Sequence, residues 1–283
     1  MNDAQANLKL NAKQLTQQSG SSFSLSFFFL PEEKRRAIRS IYAFCRHSDD
    51  IADQDVPTAE KQRQLDEWRR ELDVCYSGDP SIPMMKDLQE CVSEYSIPKD
   101  YFEELILGVE MDLEHSRYQT FDDLYLYCYR VASIVGLMCI EVFEYTEPET
   151  KKYAEYLGIA LQLTNILRDV GDDAAMDRIY IPLEDIKTYE LKEQDILQKN
   201  YTAQFTNLAA FHAERAEEYY KRASSTLPAK DRRNMLAAQI MGQVYHSVLE
   251  KIRTNEFQVF DGRTSLSKLQ KLLIAFQVWL GLK

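Results

Sequence analysis

Turn-forming residues are scarce in this chain: nine glycines and eight prolines among 283 residues, about half the usual share. Elements joined by so few turns must be long, which excludes sandwiches and doubly wound sheets and points to an all-α fold. Positive charge is also short. Lys and Arg number 34 against 45 Asp and Glu, a formal net charge of −11, and such a surface repels phosphate backbones, so nucleic acid is excluded as the main partner. There is no Cys-x-x-Cys pair. The five cysteines, Cys45, Cys75, Cys91, Cys128 and Cys139, are odd in number and lie in apolar helical contexts, the usage of a reduced, cytoplasmic chain with buried thiols. The opening MNDAQANLKLN has no basic stretch followed by an apolar one, so no secretory signal is read there. No run reaches the roughly 18 apolar residues of a membrane span, and the longest candidate, Leu272 to Leu282, contains Gln277. Linkers and fixed-period repeats are lacking too. The chain reads as one domain over 1–283, with 1–18 a loosely ordered N-terminal segment.

What is present is helical periodicity between breakers at Pro31, Pro57, Gly78–Pro83, Pro98, Pro148, Gly171, Pro182, Pro228 and Gly262. Residues 32–55 carry Ile38, Ile41, Tyr42 and Cys45 at spacings of three and four, the signature of one buried helix face. The stretches 59–76, 99–115, 120–144, 149–171, 203–224 and 232–255 follow the same rule, for a total of about eight to twelve helices. The last helix sets Leu266, Leu269, Leu273, Phe276 and Leu280 along one face, which predicts a core face. The alternative reading is a surface resting on a bilayer. SSFSLSFFFL at 21–30 reads as a core segment or pocket wall.

Two stretches carry chemistry. In RHSDDIADQ (46–54), Asp49 and Asp53 lie four apart, and Tyr42 and Arg46 extend their stripe backwards. In QLTNILRDVGDD (162–173), Gln162, Asn165, Asp169 and Asp173 step by three, four and four, again on one helical face. Like charges at i,i+4 destabilise a helix by a few tenths of a kcal/mol, so something must compensate. A solvated acidic face is the bland explanation of one such pair. The second stripe is set among Ile159, Leu161, Leu163, Ile166 and Leu167, where carboxylates without a cation are costly. Facing stripes of carboxylate and amide oxygens, with no His or Cys, describe a site for a hard cation such as Mg2+ bridging to a phosphate. Arg46, Arg168 and Arg178 are near enough in sequence to hold phosphate oxygens. The four histidines do not cluster, and His47 is placed one face away from the acidic stripe. A di-iron bundle would need paired Glu-x-x-His elements, approached here only by Asp112 to His115.

DDIAD at 49–53 and NILRDVGDD at 165–173 followed by RIYIP at 178–182 resemble the squalene/phytoene synthase family of head-to-head isoprenoid synthases. GSSFS at 20–24, IYAFCR at 41–46 and YCYRVASIVGL at 127–137 fit the same pattern. GSSF, EMDLEHSRY at 110–118, MGQVYHSVLEKI and VFDGRTSLSKL are most similar to bacterial presqualene diphosphate synthases of squalene and hopanoid routes, whereas LQLTNILRDVGDDA is shared with phytoene synthases. The resemblance implies a single-domain helical bundle around a central apolar cavity and a transferase reaction. Two farnesyl diphosphates would condense head to head to presqualene diphosphate, with onward conversion to squalene left open. Two geranylgeranyl diphosphates giving phytoene is the alternative. The donor diphosphate leaves, the allylic cation is attacked by the acceptor double bond, and a proton is lost to the released diphosphate or to a tyrosine hydroxyl.

Residue by residue, the resemblance makes Asp49, Asp53, Asn165, Asp169 and Asp173 ligands of several Mg2+ ions. It gives the diphosphates to Arg46, Gln162 and Arg168 with Gly20, Ser21 and Ser22, and lines the reaction centre with Tyr42, Tyr129 and Tyr245. Arg178 and Tyr180 close over a diphosphate. Asp50 and Asp172 match acidic motif positions, Asp172 one residue off its stripe. NADPH is not indicated, since no GxGxxG is present, but members of the family that use it also lack that motif. The oligomeric state is left open. The expected location is cytoplasmic, with peripheral contact at the inner membrane face as the lipid-linked alternative.

Overall fold

A computed structural model describes residues 29–282, and the described residues form twelve α-helices and no strand. They are α1 Glu32–Ala52, α2 Thr58–Ser77, α3 Pro83–Tyr95, α4 Lys99–Glu114, α5 Phe121–Cys128, α6 Ile134–Phe143, α7 Thr150–Ala175, α8 Leu183–Thr188, α9 Glu193–Leu197, α10 Ala203–Thr226, α11 Leu236–Thr254 and α12 Lys268–Trp279. Pro31, Pro57, Pro98 and Pro182 each stand immediately ahead of a helix in extended conformation, since a fixed φ and a missing N–H are tolerated there and not inside. Gly20, Ser21, Ser22 and most of the 21–30 segment lie outside the described residues. Of that segment, Leu30 is buried and Phe29 packs on the α11–α12 cluster.

The 26-residue α7 is the axis. It packs along α10, against α6 and the turn before it, and against α11, while α1 packs on α3, α4 and α6. Gly171 does not break α7. A Cβ there would stand 2.7 Å from the carbonyl oxygens of Val259 and Phe260, so the residue is bare to let the 257–262 backbone lie against the helix. Gly158 plays the same part on the other side, where a Cβ would meet Ser133 Cα at 2.5 Å.

The expected single helix over 120–144 is interrupted by a π-turn, Tyr129–Ser133. Residues 121–143 are apolar and long enough to cross a membrane by composition, with a mean hydropathy of 1.6. Half of that stretch is buried against α7, α4 and α1, which is the environment of a core helix. The prediction for α12 is corrected. Its buried residues are Ile274, Ala275 and Val278, seated on Ile240 and Val244 of α11, whereas Leu269 is 77% and Phe276 52% exposed. The helix is apolar on more than one face, and spacing alone does not say which face docks.

Candidate active site

Between α1, the π-turn with α6, α7 and α11 lies a cavity of 290 Å3. Its apolar wall runs from Ile38 and Ile41 on α1 through Val135 and Cys139 to Leu161 and Met241. One end is polar and is built by the two stripes. Tyr42, Arg46 and Asp49 come from α1, Gln162 and Asn165 from α7, and Tyr245 from α11. α1 presents two faces, so Ala43, Phe44 and Ile51 anchor it in the core while Tyr42, Arg46 and Asp49 face the cavity.

The two stripes share one electrostatic neighbourhood. Burial pushes the Asp49 carboxyl up to about 7, and the charges of Asp112 and Asp53 add to it. Burial likewise pushes Asp173 up to about 7, helped by Asp169 and Asp112 against the opposing Arg178. Asp112 on α4 is thus sensed from both stripes; the sequence named it only as the near match to a Glu-x-x-His element and gave it no place in the site. Its carboxylate accepts from Tyr127 Oη at 3.0 Å and Tyr180 Oη at 2.8 Å. The signal in the sequence was slight: one acid with no i+4 partner in an otherwise apolar helix face.

Four of the predicted residues have neighbours that the sequence did not indicate. Tyr129 does not line the cavity; the charges that reach it are those of Glu155, Glu104 and Lys152. It opens the π-turn, and the extra residue in that turn rotates it off the face that carries Ala132, Val135 and Cys139. Tyr180 commits its hydroxyl to Asp112, and its ring stacks on both Tyr118 and Tyr127 at 5.8 and 5.2 Å, so it braces that carboxylate. The 176–182 segment is held there by Ile179 N–H donating to Ser116 O at 3.0 Å. Arg46 is paired with Asp50 at 2.7 Å. Asp169 has both oxygens taken, by Arg168 at 2.6 Å and by Arg263 at 2.6 Å. Burial raises the Asp169 carboxyl, but these two guanidinium groups outweigh it and hold it below the usual range. Arg263 was not singled out from the sequence; it lies 94 residues from its partner, and nothing local marks it. His47 is buried against Trp68, with ring centroids 4.3 Å apart, and burial lowers its imidazole to about 4. Asp172 is exposed.

A hard cation fits this donor set. Asn165 Nδ2 donates to Gln162 Oε1 at 3.3 Å, while Asn165 Oδ1 is buried with no hydrogen-bond partner. An orphaned amide oxygen is costly unless something positive meets it. Asp49, on the same cavity, and Asp173, two turns further along α7, are carboxylates raised first of all by burial. Burial also pushes the neighbouring Cys45 thiol up, away from the thiolate a metal would need, which leaves the oxygen donors that suit Mg2+.

Residues 16–270 match the squalene/phytoene synthase family. The chain belongs to that family. This squalene/phytoene synthase is 35% identical over 276 residues to the phytoene synthase of Arthrospira platensis, covering 92% of this chain and 89% of that one. It is 34% identical over 259 residues to the presqualene diphosphate synthase of Rhodopseudomonas palustris, covering 91% and 92%. A dehydrosqualene synthase solved in complex with ligand superposes with a TM-score of 0.86 at 27% identity, covering 99% and 98%. As a squalene/phytoene synthase the protein is a prenyltransferase of the head-to-head class, in a family generally dependent on divalent metal.

Proposed function

We propose that this synthase condenses two farnesyl diphosphates to presqualene diphosphate with Mg2+. The observation that supports the reading is the cavity itself: largely apolar, with oxygen-bearing side chains at one end and with Phe143 and Tyr153 in its lining. Asp49, Asp53, Asn165, Asp169 and Asp173 hold the ions, Asp169 once its arginines swing away, and Arg46, Gln162, Arg168 and Arg178 hold diphosphate oxygens. Bound there, Mg2+ neutralises the charge that gathers on the departing diphosphate.

The remaining work belongs to the chain's own residues. The donor C–O bond breaks with its electron pair leaving on the diphosphate, the C2=C3 electron pair of the acceptor attacks donor C1, and a proton lost from donor C1 to the released diphosphate or a tyrosine hydroxyl leaves the electron pair that closes the cyclopropane. Arg168 and Arg263, both paired with Asp169, are placed to follow the diphosphate. Walls such as Val135 and Leu161 exclude the water that would quench the cation. The ring faces of Tyr42 and Tyr245 offer it about 1–2 kcal/mol in a desolvated site.

The test is incubation of purified protein with farnesyl or geranylgeranyl diphosphate and Mg2+, with and without NADPH, followed by product identification. Presqualene diphosphate is expected from the first, and EDTA should bring turnover to background. Phytoene from geranylgeranyl diphosphate alone would establish the second reading, which the similarity to phytoene synthases favours. Squalene formed only with NADPH would extend the reaction by a reduction.

The exposed face of α12, with Leu269, Leu273, Phe276 and Trp279, supports peripheral contact with a lipid surface, reasonable for a substrate with a prenyl tail. Flotation with anionic liposomes should recover the protein. Phe276→Asp combined with Trp279→Asp should lose flotation while keeping turnover in detergent, and equal flotation of the double variant would end this reading.

A further inference from the structure

A second cavity, of 370 Å3, lies behind the first on the other side of the contact between α7 and α11. Two side chains line both cavities: Tyr153 and Leu157, one helical turn apart on α7. Each is nearly inaccessible, Tyr153 at 3% and Leu157 at 8%. Leu157 packs directly on Gly242 of α11, where a Cβ would stand 3.0 Å from Leu157 Cδ1. Two side chains are thus common to both cavities, and one of them, Leu157, leans on the bare backbone of Gly242. The second cavity is lined by Ala223, Leu227 and Val278 together with polar and charged side chains such as Glu217, Lys221 and Arg232.

The position of this partition along α7 matters. Asn165, at the polar end, stands eight residues from Leu157 and twelve from Tyr153, which is about 12 and 18 Å at 1.5 Å per residue. Each C–C bond advances an extended chain by roughly 1.3 Å. On that scale a fifteen-carbon prenyl chain spans roughly 14 Å, and a twenty-carbon chain about 5 Å more. Laid along α7 from Asn165, the shorter chain would end near the level of Leu157, whereas the longer one would reach that of Tyr153.

We infer that Tyr153 and Leu157, seated on Gly242, are the wall that sets the length of prenyl chain this enzyme accepts, and that removing Leu157 joins the two cavities and admits the longer substrate. This rests on the reading of the first cavity as the prenyl site. A hydrophobic wall discriminates by modest factors, about 10- to 200-fold per methylene-sized change, so the effect is read as a ratio and not as gain or loss of activity.

The experiment compares kcat/KM for geranylgeranyl diphosphate with that for farnesyl diphosphate, in the wild type and in Leu157→Ala, with circular dichroism as the check on folding. The ratio should rise about ten-fold. Calorimetry with unreactive thiolodiphosphate analogues of both lengths, in Mg2+, should show the same shift in binding. A folded Leu157→Ala whose ratio stays within about two-fold of the wild type overturns the partition. If that variant does not fold, Gly242→Ala decides. It pushes Leu157 towards the first cavity and should lower the ratio about three-fold, and an unmoved ratio there overturns the partition equally. A wild type that turns over neither diphosphate would overturn the reading of the site; one that turns over either, with an unmoved ratio in the variant, would overturn the partition alone.

Discussion

Asp49→Asn abolishes turnover, lowering kcat by about 10^3-fold or more, and leaves the metal-free protein at pH 8 no less stable than the wild type. Both results follow from crowding. Asp49 lines the cavity, and burial with the nearby Asp112 and Asp53 charges raises its carboxyl to about 7. Asp173 is raised to about 7 by burial and Asp169. A carboxyl whose folded pKa lies above its unfolded value holds more protons in the folded state, so stability falls as pH rises. The contribution of these two groups is complete below about pH 4 and is lost as pH rises through 7. The melting temperature of metal-free wild type should therefore drop between pH 5 and pH 8, and Mg2+ should restore it at pH 8 by binding the folded state. In Asp49→Asn part of that drop disappears, because an amide does not ionise. Thermal melts at pH 5, 6.5 and 8, with and without Mg2+, together with kcat, measure all of this. Retention of about a tenth of wild-type kcat would remove Asp49 from the site, and a melting temperature that rises with pH in the metal-free protein would contradict the crowding.

Asp231→Ala should cost about 3 kcal/mol of stability, some 6–12 °C in melting temperature for a domain of this size. Asp231 is fully buried between α10 and α11. Its carboxylate accepts from Thr146 N–H at 2.9 Å, Thr146 Oγ1 at 2.7 Å, Glu147 N–H at 3.0 Å and Thr150 Oγ1 at 2.5 Å. Burial works against the charge, but the bonds from Thr150, Thr146 and Glu147 outweigh it and lower the carboxyl to about 2. A depressed carboxyl stabilises above its unfolded pKa, and that contribution is lost only as pH falls towards 2. These bonds close the N-terminus of α7, the helix that carries Gln162, Asn165, Asp169 and Asp173. Alanine leaves the donors buried without acceptors, and Asp231→Asn should recover part of the loss. Chemical denaturation of the three proteins at pH 7 is the check. A change below about 1 kcal/mol for alanine would mean that water or a neighbour replaces the carboxylate.

The stripes Asp49–Asp53 and Asn165–Asp173 were legible because helical spacing is a local property: four residues make about one turn whatever surrounds them. The same locality located the long helices and their proline starts. It misread Gly171, whose reason lies in the backbone of Val259 and Phe260, and the docking face of α12, which was chosen by α11. Tyr129 was rotated off the cavity by a π-turn that has no mark in composition.

By itself, then, the sequence determined the helical class and the oxygen-rich stripes, since both depend on residues within a turn or two of one another. Only the tertiary structure decided which groups from distant helices meet. It brought Asp112 with its two tyrosines under both stripes, carried Arg263 to Asp169, and stood Leu157 against Gly242 at the end of the cavity. Charge, burial and chain length act across space, and the pairs that set them here lie between about 15 and 95 residues apart in the chain.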